Sequence, residues 1–351
     1  MSKPFFSIGV TTYNRHDLLK EAVSSILSQN FHDFEVIIGN DYQDEILTAE
    51  KLGIADPRVR FVNHPRNLRE VGNMNALLGL AEGRYFTWLF DDDLYEPGFL
   101  QTAHDVLLKN NFPSVLFPSY KVFRDTTTVS SGNIAYHSVQ IFDGREYLKN
   151  YFSGRAKLIS TCGLFDTEAL IKVVGGVAEL SSSAVGLYCE YYLLVRCALL
   201  NRIAYMDAPF VIFRAHSGSW GESHVELATC LEAGEELLRR SSKVLRHPNL
   251  RKDYEQSLLG ILKIHLSTLS FVSVRVMKST DITGILAAGR SGLLVLNEGA
   301  RLGELISMET LMPLRARLRK FLIFAKCMYL VCFAVFYYSW RKRKDSFEST
   351  S

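Results

Sequence analysis

Residues 6–41 read FSIGVTTYNRHDLLKEAVSSILSQNFHDFEVIIGND. Phe5 to Thr12 is dense in β-branched and aromatic side chains and reads as a buried strand. From Asp17 to Gln29, Leu18, Leu19, Ala22, Val23, Ile26 and Leu27 fall at helical spacing, and Phe34 to Gly39 returns to a strand pattern. A strand, a polar loop, a helix and a second strand in one short stretch predict a unit of parallel sheet covered by a helix.

Outward from that stretch the alternation continues. Val59 to Val62 reads as a strand, Val71 to Ala81 as a helix ended by Gly83, Tyr85 to Phe90 as a strand, Gly98 to Lys109 as a helix and Ser114 to Pro118 as a strand. The expected class is α/β, a mostly parallel central sheet flanked by helices. Ligands of such sheets bind beyond the carboxyl ends of the strands. Three polar clusters sit there: Thr11-Thr12-Tyr13-Asn14-Arg15, Asn40-Asp41 and Asp91-Asp92-Asp93.

Past Pro118 the pattern loosens. Thr126 to Asn133 reads as a polar loop, Asp143 to Phe152 and Asp166 to Val174 as short helices, and Gly175 to Gly186 as a mobile loop. Cys189 to Leu200 reads as a helix, and Arg202 to Met206 and Val211 to Arg214 as two short strands. Beyond Glu222 the chain is helical in pattern, at Leu227 to Leu245, Tyr254 to Ser270 and Ile282 to Leu296. The expected division is a main domain over 1–220, with one half to about 118 and a second over 119–220. A helical extension over 221–312 and a tail over 313–351 follow.

Charge separates the tail from the body. Pro313 to Lys344 holds nine Lys/Arg and no acid, leaving 31 of the 40 basic residues to set against all 37 acidic ones, a net of −6. A mildly acidic body with one basic, apolar tail suits an anionic membrane surface and not nucleic acid. Phe321 to Trp340 is nearly all apolar and interrupted by Lys326. It fits a span, an interfacial helix or a helix packed on the body. The six cysteines show no CxxC pair, zinc spacing or disulfide framework, and the N-terminus shows no secretion signal, so a reducing, cytoplasmic location is expected.

Three adjacent aspartates at a strand end repel one another unless a cation sits among them, and hard oxygen donors favour Mg²⁺ or Mn²⁺. Taken alone, such a triplet also reads as a solvated acidic loop. Its position after Tyr85-Phe-Thr-Trp-Leu-Phe90 favours the metal.

Ser7 to Arg15 and Ser24 to Asp41, with the triplet, resemble glycosyltransferase family 2, whose fold is the GT-A fold; the likeness extends from Phe6 to about Ser219. The resemblance implies an inverting transferase moving a sugar from a nucleotide-sugar donor, UDP-linked by preference, to a hydroxyl acceptor. It implies nucleotide-sugar contacts at Thr12, Tyr13, Arg15, Asp41, Asn67, Gly72, Asn73 and Asp91, with Arg214 or His216 closing over the diphosphate. It places Mn²⁺ or Mg²⁺ on Asp91, Asp92 and Asp93, and makes Glu190 the catalytic base. Two departures stand out: Phe90 where many relatives carry an acid, and Cys189-Glu190 in place of an acidic pair. An acid at a helix N-terminus, as at Glu190, also serves simply as a dipole partner.

With the tail, the family implies a lipid-linked or surface-polysaccharide acceptor and a place at the inner face of the cell membrane, peripheral or C-terminally anchored. A nucleotidyltransferase fits less well, because no glycine-rich, basic phosphate loop follows the first strand. A non-catalytic protein that kept the fold would have little reason to hold Asp41, Asp91, Asp92 and Glu190 together.

Overall fold

The computed structural model describes residues 3–123, 138–215 and 227–276. Thr126 to Asn133, His216, Ile282 to Leu296 and the tail from Pro313 lie outside them.

In chain order the first elements are β1 (Phe6–Thr12), α1 (His16–Leu27), β2 (Phe34–Asn40), α2 (Ala49–Leu52), β3 (Val59–Asn63), α3 (Arg69–Leu80), β4 (Tyr85–Phe90), β5 (Leu94–Tyr95) and α4 (Phe99–Lys109). They are followed by β6 (Val115–Phe123), β7 (Val139–Phe142), α5 (Gly144–Phe152), β8 (Leu164–Asp166), α6 (Thr167–Ala169), α7 (Cys189–Cys197) and β9 (Ile203–Arg214). The strands form one sheet in the order β3-β2-β1-β4-β8-β6-β9-β5, with β7 also paired to β9.

The expected parallel sheet is found in β3-β2-β1-β4, where every pairing is parallel. β1 is buried along its whole length, which is why its sequence runs apolar without alternation. α1 lays Leu19, Ala22, Val23 and Ile26 on this sheet, the face the helical spacing predicts.

Beyond β4 the sheet is mixed: β8 runs antiparallel to both β4 and β6, while β6 and β9 are parallel. β6 runs past Pro118, where sequence places its end, because the ladder shifts register between Pro118 and Tyr120. Proline has no N–H to give the ladder, and an irregularity accommodates it. The same shift lets the two short strands expected at 202–214 form one strand, β9, with irregular pairing between its two runs.

α8 (Leu227–Leu245) and α9 (Tyr254–Val276) belong to a second compact unit. α8 turns Cys230, Ala233 and Leu237 inward, α9 turns Leu258, Ile261, Leu262 and Leu266 inward, and the Ser242 and Tyr254 hydroxyls meet at 2.7 Å. Among the described residues no helix is long and apolar enough to cross a membrane.

Candidate active site

The carboxyl ends of β1, β2 and β4 deliver their polar clusters to one place. At the end of β1 the Thr12 hydroxyl donates to Asp91 Oδ2 at 2.7 Å. Asn14 takes a left-handed backbone (φ 52°), rare outside glycine, and this turns Arg15 back over the aspartates. Arg15 Nε donates to Asp91 Oδ2 at 3.1 Å and Nη1 to Asp92 Oδ2 at 2.9 Å, while Nη2 pairs with Asp91 Oδ1. One guanidinium thus spans both carboxylates, as its planar fork allows.

The three aspartates are not equivalent. Asp91 is buried, and that burial pushes its carboxyl up to about 6 against the pull of Arg15. Asp92 keeps some exposure and faces the same cation. Asp93 turns inward: its Oδ1 accepts from the Arg214 backbone N–H at 3.0 Å, and burial, with Asp92 beside it, raises its carboxyl well above the usual range. Asp93 therefore fastens β9 to the end of β4.

Asp91 and Asp92 fit a divalent cation, since they are two hard oxygen donors already gathered about one positive charge. Among the described residues no three His, Cys, Asp or Glu side chains group as metal ligands. The remaining positions would fall to donor phosphates and water, as is usual for Mg²⁺.

At the end of β2, Asp41 Oδ1 accepts from the Leu68 N–H at 2.7 Å, and burial raises its carboxyl. Asn67 accepts from the Arg69 N–H at 2.8 Å, and Arg69 itself has φ 62°. Asn73 faces the sheet instead of the crevice: its Nδ2 donates to Gly39 O at 2.9 Å and its Oδ1 lies 2.9 Å from His64 Nε2. Gly39 permits this approach, because a Cβ there would lie 2.1 Å from Asn73 Oδ1. Gly72 packs against Leu68, and the rings of Tyr13 and Tyr42 meet edge to face at 5.3 Å. Arg214 pairs with Glu21 on α1 at 2.7 Å.

Glu190 stands in the first turn of α7, behind Tyr188, which holds φ 57°. Its carboxyl is pushed up to about 7, first by burial, then by the negative charge of Glu70, against a hydrogen bond from Tyr191. Burial, and then the charge of Glu190, raises the hydroxyls of Tyr120 on β6 and of Tyr151 on α5. A carboxyl that takes and releases a proton near neutrality, among aromatic walls, is suited to general-base work.

The stretch from Gly175 to Gly186, expected to be a mobile loop, is instead tied on both sides. Asn75 pairs with Val177 through both its amide atoms at 2.8 and 2.9 Å, Arg196 donates to Val174 O and Gly176 O at 2.7 Å, and Glu70 accepts from the Gly186 N–H at 2.9 Å. Glu70 and the tyrosines around Glu190 were not singled out in the sequence. Glu70 lies inside the Asn67 to Asn73 segment, but its side chain's hydrogen-bond partner Gly186 is 116 residues away, a relation no local spacing encodes.

Residues 7–174 match the family model described as Glycosyl transferase family 2. The Campylobacter jejuni GalNAc(5)-diNAcBac-PP-undecaprenol beta-1,3-glucosyltransferase is 36% identical over 102 residues, 28% of this chain and 33% of that protein. The Escherichia coli UDP-Glc:alpha-D-GlcNAc-diphosphoundecaprenol beta-1,3-glucosyltransferase WfgD is 24% identical over 123 residues, 35% of this chain and 48% of that protein. The matched stretches thus span half or less of these relatives. Among solved structures, S. aureus TarS 1-349 in complex with UDP-GlcNAc superposes with a TM-score of 0.62 at 17% identity, covering 92% of this chain and 90% of that one, which shows the shared GT-A fold.

Proposed function

Residues 7–174 match glycosyltransferase family 2, and from that premise we propose that the chain moves a sugar from a UDP-sugar to a hydroxyl of a lipid-linked saccharide by direct displacement with inversion. The observation that carries this reading is the convergence of Thr12, Arg15, Asp91 and Asp92 at the ends of the parallel strands, with a proton-accepting Glu190 heading α7. The names of the two undecaprenol-linked relatives support the acceptor class, and that of the E. coli relative the uridine donor.

Displacing a nucleoside diphosphate from an anomeric carbon needs charge stabilisation on the leaving phosphates and a base for the incoming hydroxyl. Asp91 and Asp92 would hold Mn²⁺ or Mg²⁺, which when bound supplies Lewis-acid neutralisation of the diphosphate. Arg15, a fixed cation at the same point, is placed to pair with phosphate oxygens. Asp41, Asn67, Tyr13 and Gly72 border the nucleoside end, and Asn73 serves it indirectly by holding α3 to β2. Glu190 accepts the acceptor proton, a contribution typically of ~10²–10⁴-fold. The basic, apolar tail over 313–351 would hold the enzyme at the inner membrane face, where such acceptors are presented.

The test is to incubate purified full-length protein with a panel of nucleotide sugars and a membrane lipid extract, with Mn²⁺ or with EDTA. Metal-dependent release of nucleoside diphosphate and an inverted anomeric centre in the product are expected. A retained centre by NMR would rule out direct displacement by Glu190.

A further inference from the structure

We propose that Glu70 is a positioning residue for the transfer reaction: from the donor-side helix α3 it latches, through Gly186, the loop that delivers Glu190. This rests on the reading of Glu190 as base.

Glu70 Oε2 accepts from the Gly186 N–H at 2.9 Å, across a sequence separation of 116 residues. Its neighbour Arg69 donates from Nη1 to Ser182 O at 3.0 Å. Gly186 lies pinched between the two helices, since a Cβ there would sit 2.9 Å from Val71 Cγ2 on α3 and 2.8 Å from Cys189 Sγ on α7. Both ends of the seam are strained: Arg69, immediately before Glu70, and Tyr188, immediately before α7, hold left-handed backbones at φ 62° and 57°. Non-glycine residues keep such conformations only where their surroundings over-determine them. The donor-side segment 67–73 is therefore joined to the loop that leads into the base by Glu70, through Gly186 and Ala184, and by Arg69, through Ser182.

A neutral side chain would make the same bond, so the choice of a carboxylate adds something else. The groups that bear on Glu190 are Glu70 from α3, Tyr191 and Cys189 from α7, Tyr120 from β6, Tyr151 from α5 and Cys162 from the turn before β8. Glu70 is the carboxylate among them: burial raises its own carboxyl, against the Gly186 N–H and with Asp92 and Arg15 acting in opposite senses, and its ionised form favours the protonated form of Glu190.

Glu70→Gln keeps an acceptor for Gly186 and loses the charge; Glu70→Ala loses both. Amide exchange at Gly186, read by NMR on glycine-labelled protein, should accelerate in Glu70→Ala and stay slow in Glu70→Gln. Turnover number should fall on the order of 10- to 100-fold in Glu70→Ala with the donor KM little changed, as misplacement of a reacting group predicts. Glu70→Gln should recover most of it and move the acidic limb of the kcat profile to lower pH. Unchanged Gly186 exchange in Glu70→Ala overturns the latch, and an unmoved acidic limb in Glu70→Gln overturns the electrostatic role. Glu190→Gln separates this from the base assignment: it should stop turnover while leaving Gly186 protected. If it turns over normally, the base assignment fails, and Gly186 exchange still decides the latch.

Discussion

Asp91 and Asp92 share the guanidinium of Arg15, whereas Glu190 feels, besides its own burial, the negative charge of Glu70 and a hydroxyl of Tyr191. The first pair is compensated by a cation and keeps a place for more positive charge. The second has no cation: burial first, and then the repulsion of Glu70, holds a proton on Glu190 up to about 7. Two acidic groups in one crevice are thus prepared for different work, one for phosphate and metal, the other for a proton. Environment makes the difference, since all four are ordinary carboxylates.

The sharpest way to break this contrast is Glu190→Gln, which should lower kcat by ~10²–10⁴-fold with donor affinity retained by calorimetry. Asp92→Ala should do the reverse in kind: Mn²⁺-dependent donor binding is lost, with a fall in kcat/KM on the order of 10²–10³, the usual scale for one electrostatic contact to developing charge.

Stability sharpens the contrast further. Folded Asp91 holds its proton to about 6 and Glu190 to about 7, against ordinary values of 3.8 and 4.5. Between those limits the folded chain binds more protons than the unfolded one, so stability falls as pH rises through the window. Glu190→Gln should therefore raise Tm at pH 8, and the gain should shrink towards pH 5, as differential scanning fluorimetry would show. Asn73→Ala, which strips the buried bonds to Gly39 and His64, should destabilise by about 1–3 kcal/mol in urea titrations and affect kcat less than either carboxylate. The smallest effect belongs to Lys172→Ala: its pair with Glu168 is an exposed (i, i+4) contact, and neither Tm nor kcat should change measurably.

The parallel half could be read from sequence because its instructions are local. The apolar run of β1, the helical spacing of α1 and the polar residues after each strand all lie within one short segment. Asp91, Asp92 and Arg15 were legible for that reason, although the guanidinium bridge between them was not. The mixed half resisted because its order comes from distant pairings: β8 wedges antiparallel between β4 and β6, and Pro118 reads as a strand end when it only shifts the register. The loop at 175–186 looked mobile from its serines, yet Asn75, Arg196 and Glu70, which tie it, lie on other elements. Asp93 is the instructive case within the motif, since its neighbours face the crevice while it turns to the Arg214 backbone.

The central claim is tested most directly by nucleoside diphosphate release from UDP-sugars in the presence of lipid acceptor, compared in wild type, Asp92→Ala and Glu190→Gln, with Mn²⁺ and with EDTA. The account predicts release by the wild type that needs metal and is lost in both variants, with donor still bound by Glu190→Gln. Wild-type protein that binds donor and turns over nothing, or variants that release diphosphate at the wild-type rate, would contradict it.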